Sequence, residues 1–256
     1  MQLLSLGLGF VLIIPCLACT ESTDNKARPT VSAVQVDTLS WPSSLDDYAT
    51  PQDTLLTYAE LRHDINTQVE QIRNQAVPED SLSVLFQEIL LHRILPRWAG
   101  TPWSFEGHIS EPETGSIACG YFVSTTLNHL GLPLNRYHLA QQSPSNEARS
   151  LALGDRVLTF EGESTEAITR AMQDSLATGI YFIGLAEGHV GFLLVEDQAF
   201  YLIHSNYLGD QGVEMERLAD SEVFSSYRQF KIVPLNTNQE LLNRWKNGKV
   251  IPIFRE

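Results

Sequence analysis

Cysteine is scarce in this 256-residue chain, with only Cys16, Cys19 and Cys119 present, which leaves no room for a disulfide framework. Basic residues are scarce too: 17 Lys and Arg stand against 31 Asp and Glu, a formal net charge of −14. Such a surface disfavours nucleic acid and anionic lipid headgroups, and reads most simply as soluble and self-repelling. The short paired Cys and His spacings that hold zinc are missing, and no Gly-rich phosphate loop follows a strand. Hence no metal, cofactor or nucleotide is expected. Beyond the first forty or so residues there are no repeats and no low-complexity runs.

The one long apolar run, residues 3–18, carries no charge. It has the length of a signal-peptide core and is too short for a comfortable membrane span. Ala18-Cys19 resembles the end of a bacterial lipobox, in which the cysteine is acylated and becomes the mature N-terminus. The expected organisation is a signal peptide at 1–18, a lipid-anchored tether at 19–44 rich in Thr, Ser, Asp and Pro, and one domain at 45–256. Cys16 is then removed, Cys19 is consumed by lipid, and Cys119 is left as the only free thiol. A leftover thiol of this kind marks an intermolecular bridge or a reactive group.

Helical periodicity comes first along the chain. Residues 54–75 place Leu55, Tyr58, Leu61, Ile65, Val69 and Ile72 on one stripe, and residues 79–95 form a second helix stopped by Pro96. His63 and His92 are read as surface or packing residues. From Trp98 to Ala118 runs a Gly- and Pro-rich loop of a length that is often functional. Phe122, Val123, Thr126, Leu127 and Leu130 then mark a helix that begins at Cys119 and ends at Gly131-Leu132-Pro133. At a helix start, unpaired N–H groups and the helix dipole favour thiolate over thiol, so a lowered pKa is expected for Cys119.

Residues 179–185, 189–195 and 199–204 are three apolar, β-rich runs. The second and third form a hairpin around Glu196-Asp197-Gln198. A turn centred between Glu196 and Asp197 sets His189 opposite His204; a two-residue Asp197-Gln198 turn sets it opposite Asn206. Either register delivers a polar group to the imidazole of His189, as a catalytic base requires.

Cys119 at a helix start, Gly188-His189-Val190-Gly191-Phe192 opening a strand, and His204 closing the next resemble the NlpC-type cell-wall cysteine peptidases of the papain-like superfamily. Trp98-Ala99-Gly100-Thr101-Pro102 is similar to the aromatic-plus-glycine stretch those enzymes carry upstream of the cysteine. The match covers about residues 98–207. Ala118 stands where the family has Asp, Gly120-Tyr121 replaces Ser-Gly, and residues 134–176 are an expected helical insertion. No wall-binding module is evident.

The resemblance implies an α+β, papain-like fold, with a helical front and the nucleophile at a helix N-terminus packed on an antiparallel sheet. It implies attack by Cys119 on an amide carbonyl, His189 as base and acid, and His204 or Asn206 orienting His189. The oxyanion would take the Cys119 N–H and a second donor from the 98–107 loop. Trp98, Trp103 and Tyr121 are candidate substrate-binding residues, and Arg136-Tyr137-His138 a candidate carboxylate reader; His108 is read as surface. The expected protein is a monomeric hydrolase on the periplasmic side of the bacterial cell envelope, membrane-attached through its lipid and cleaving peptidoglycan peptides. A peptide-binding domain without catalysis and an acyl or amide transferase are the alternatives.

Overall fold

A computed structural model describes residues 44–209 and 212–255. The expected signal peptide, the lipidation site Cys19 and the tether up to residue 43 lie outside the described residues. Among the described residues, no helix is long and apolar enough to cross a membrane.

Two short 3-10 turns, Leu45–Tyr48 and Asp53–Leu55, precede helix α1 (Tyr58–Asn74). The helix starts at Tyr58 rather than at 54 because of a capping box at Thr57. The Thr57 hydroxyl accepts from the Glu60 N–H, and the Glu60 carboxylate accepts from the Thr57 N–H. Leu55 is thereby left outside the stripe and is 86 % exposed, whereas Tyr58, Leu61, Ile65, Val69 and Ile72 are buried.

Helix α2 (Glu79–Glu88) is followed by more helical backbone, and the expected stop at Pro96 holds. The chain continues through a π-helical turn, Ile89–Ile94, into a 3-10 turn, Leu95–Trp98, that contains the proline. The missing Pro96 N–H and its ring end the regular ladder there. Arg93, on the π turn, reaches Asp53 and Asp64 at 2.7 Å each and fastens the two front helices together.

The remaining helices are α3 (Cys119–His129), α4 (Arg136–Ala140), α5 (Pro144–Ala152), α6 (Thr165–Gln173), α7 (Glu222–Ser225) and α8 (Gln239–Asn247). The strands are β1 (Leu158–Glu161), β2 (Gly179–Leu185), β3 (His189–Glu196), β4 (Ala199–Ser205), β5 (Val213–Arg217) and β6 (Gln229–Pro234). They form one antiparallel sheet in the order β1-β6-β2-β3-β4-β5. The architecture is therefore α+β, as the sequence implied.

Strands β2 and β3 are central and buried almost end to end, which is why they read as continuous apolar runs. Strand alternation still divides the side chains of β2, β3 and the neighbouring β4 between two cores. Ile180, Phe182, Val190, Phe192, Leu194 and Ile203 join α1, α2, α3, α5 and α8 in the larger one. Tyr181, Ile183, Leu193, Val195 and Leu202 join Ile168, Met172, Val223 and Phe224 in the smaller. The segment expected to be a helical insertion contains α4, α5 and α6, together with β1, a four-residue edge strand too short to announce itself by pattern.

Candidate active site

Helix α3 begins at Cys119, and the Phe122 N–H bonds the carbonyl of Ala118 at 2.8 Å. Ala118 offers no capping side chain, so the first-turn N–H groups are left for other acceptors. Gly120 is required here by contact: a Cβ would lie 2.8 Å from the carbonyl oxygen of Ala140 on α4. That close approach seats α4 against the start of the nucleophile helix.

The expected lowering of the Cys119 pKa is overturned. Burial pushes the thiol up to about 11, and the Glu147 carboxyl adds to the rise. Hydrogen bonding from the backbone N–H groups of Val190, Gly120 and Cys119 itself pulls the other way and loses. Cys119 keeps partial exposure, yet protein packed around it removes most of the solvation a thiolate needs. Glu147, on α5, is 2 % exposed, and burial raises its pKa well above the ordinary value.

His189 opens β3 and His204 lies near the end of β4; both are fully buried. The hairpin pairs Glu196 with Ala199 and Phe192 with Ile203, so the turn is Asp197-Gln198, with both residues at positive φ (46° and 65°). Extended, that register sets His189 opposite Asn206. The hydrogen bond nevertheless runs diagonally to His204, from Nε2 to Nδ1 at 2.8 Å, with the rings edge-on at 5.0 Å. Diagonal neighbours lie within reach of long side chains. Asn206 is excluded as the third residue because it turns away, donating to Glu214 and accepting from the Leu208 N–H.

A second diagonal contact continues the line. His204 pairs opposite Glu214 on β5, but its Nε2 meets Glu216 Oε1 at 3.1 Å. Burial alone would raise the Glu216 pKa; hydrogen bonds from His204 and Ser221 outweigh it and hold the carboxyl below its ordinary value. The other end of the line is open: His189 Nδ1 is buried and has no hydrogen-bond partner. Burial first, and the neighbouring His204 second, hold the His189 pKa well below 6.5. The resting pair is therefore a neutral thiol and a neutral imidazole.

Cys119 and His189 line one cavity of about 650 Å³, together with Trp103, Tyr121, Tyr207 and Tyr227 among others. The Tyr207 ring stands 5.2 Å from that of His189 and 6.1 Å from that of Trp103. Tyr207 and Tyr227 meet through their hydroxyls at 3.2 Å. Gly188 is constrained by this wall, since a Cβ there would lie 2.6 Å from Tyr227 Oη. No Asp, Glu, Lys or Arg occurs among the described residues that line the cavity.

Of the residues expected to contact substrate, Trp103 and Tyr121 are at this wall and Trp98 is not. Trp98 is fully buried in the front core, and its indole N–H donates to Tyr58 Oη at 2.8 Å. The Gly-Pro-rich loop hid this, because large aromatics there are anchors as readily as binding surfaces. Arg136 is also occupied: it donates to the carbonyls of His108 and Ile109 and to the Thr125 and Tyr137 hydroxyls, which binds the loop to α3 instead of reading a carboxylate.

Sequence reading missed Tyr207, Tyr227 and Glu216. For Glu216 a signal existed, since Val213-Glu214-Met215-Glu216 alternates as a half-buried strand does. Ligand atoms of His204, Glu214 and Glu216 lie within 4.8 Å of one another, a set able to approach a cation, although His204 Nε2 is already committed to Glu216. No family model, curated protein or solved structure matches the chain.

Proposed function

We propose that the protein is a papain-like, NlpC-type cysteine hydrolase of amide bonds, acting on peptidoglycan peptides in the bacterial cell envelope from an N-terminal lipid anchor. One observation carries the reading: His189 and Cys119 line the same cavity, and of the two ring nitrogens of His189 the Nε2 is engaged by His204 while the buried Nδ1 has no partner. A base needs one nitrogen fixed and the other free.

Because the resting pair is neutral, proton transfer accompanies attack. The Cys119 S–H proton passes to His189 Nδ1 as sulfur bonds to the substrate carbonyl carbon. Negative charge moves to the carbonyl oxygen, where the N–H groups at the start of α3 stabilise it. Collapse breaks the C–N bond, and His189 returns the proton to the departing amine, leaving a thioester. Water then gives a proton to His189 and attacks the thioester carbon; expulsion of sulfur, reprotonated by His189, releases the acid. The aromatic, uncharged wall favours a neutral acyl portion beside the scissile bond.

Two measurements test the reading. Digestion of purified peptidoglycan, with products identified by mass spectrometry, is expected to yield new free amines with the native chain and none with Cys119→Ser. Iodoacetamide labelling at pH 9 is expected to modify Cys119, and His189→Ala to slow it. Labelling without any amide cleavage would restrict the domain to peptide binding, and cleavage that persists in Cys119→Ser would remove the thioester route altogether.

A further inference from the structure

We infer that Glu216 is a positioning residue that sets the proton arrangement of both histidines and so makes His189 a base. The inference rests on the hydrolase reading for its consequence, but not for its geometry. An ionised carboxylate only accepts hydrogen bonds. Glu216 Oε1 faces His204 Nε2 at 3.1 Å, so that nitrogen must carry a proton. If His204 carries a single proton, its Nδ1 then holds a lone pair, and a His204 found protonated on both nitrogens would overturn the inference. That Nδ1 faces His189 Nε2 at 2.8 Å, so His189 must donate from Nε2. The remaining nitrogen, His189 Nδ1, is left with its lone pair in the ring that shares the Cys119 cavity, and it has no other partner.

The carboxylate thus acts two rings away from the reacting thiol. Reversing the arrangement would put a proton on His189 Nδ1, where no lone pair could receive the Cys119 proton. A His–His hydrogen bond is by itself symmetric with respect to which ring donates; Glu214 Oε1, 3.9 Å from the same His204 Nε2, favours the same proton position from beyond hydrogen-bond distance, so Glu216 at 3.1 Å is the closer determinant. Ser221 supports the choice from outside by donating to Glu216, and burial of His204 prevents water from supplying a competing partner.

Substitution of Glu216 by Gln tests this directly, because an amide can turn and donate to His204 Nε2. Two-bond proton–nitrogen correlation spectra of the full, nitrogen-15-labelled chain are expected to show both His189 and His204 protonated at Nε2. In Glu216→Gln the Nδ1-protonated forms should appear in both rings, and Glu216→Asp should restore the native pattern in part. Alkylation of Cys119 and amide hydrolysis should fall at least about tenfold in Glu216→Gln with KM little changed; the much larger loss on amidating the aspartate of a serine triad sets an upper bound of about 10⁴.

His189 protonated at Nδ1 in the native chain would overturn the inference even if the variant failed to fold. So would a Glu216→Gln spectrum identical to the native one. The spectra need no substrate, so failure of the two claims is separable. Native proton positions without any hydrolysis would count against the hydrolase reading alone, and hydrolysis with unmoved proton positions against Glu216 alone.

Discussion

Two buried histidine networks, one in the front core and one on the sheet, differ in how they end. In the front core, the Trp98 indole donates to Tyr58 Oη, and Tyr58 Oη meets His129 Nδ1 at 2.8 Å. Both hydrogen bonds of this network are internal, and three rings pack at centroid separations of 5.7 to 6.4 Å. Burial holds the His129 pKa down to about 3. At the sheet, His189 and His204 have the same chemistry and burial, but one end of their line terminates on a carboxylate and the other on an unpartnered nitrogen of a ring that lines a cavity. A closed network stabilises the fold, whereas an open one keeps a lone pair available.

The strongest way to break that contrast is a pair of substitutions. His189→Ala is expected to lower the turnover number for amide hydrolysis roughly 10²–10⁴-fold in the folded fraction, over and above the stability lost by emptying a buried, hydrogen-bonded site. Trp98→Ala is expected to destabilise by about 3–5 kcal/mol while the folded fraction keeps its turnover number. An unchanged turnover number in the first, or a lost one in the second, would erase the distinction.

A smaller effect sharpens the state of the open network. With the thiol raised towards about 11 and the imidazole lowered, alkylation of Cys119 by iodoacetamide should climb about tenfold per pH unit between pH 7 and 10. A fast plateau already present at pH 6 would mean a preformed thiolate–imidazolium pair. The smallest effect concerns Glu147, whose pKa is higher folded than the 4.5 of the ordinary group. Below pH 4.5 both states hold the proton; above it the unfolded state releases the proton first, so stability declines as pH rises. Glu147→Gln should remove that decline. Its melting temperature should exceed the native one at pH 7, by about 2–4 °C for each kcal/mol relieved, and match it at pH 4. An equal difference at both pH values would show that ionisation is not the cause.

Much of this was legible in the chain itself. The start of α3 at Cys119 followed from the spacing of Phe122, Val123, Thr126 and Leu127 and from Gly131 beyond, and three strands followed from runs rich in β-formers. These are local signals, fixed by periods of 3.6 and 2. Helix α1 began later than its apolar stripe because the Thr57 capping box outcompeted Leu55.

Choosing His204 over Asn206 was beyond local pattern. The register that occurs favours Asn206, and only the diagonal reach of side chains at the end of the β3–β4 ladder, with Glu214 drawing Asn206 aside, decides for His204. The Cys119 thiol shows the same division. The sequence determined that it stands at a helix N-terminus, next to free N–H groups. Only the tertiary structure decided that burial outweighs them, because desolvation depends on everything packed around the sulfur, most of it distant in the chain.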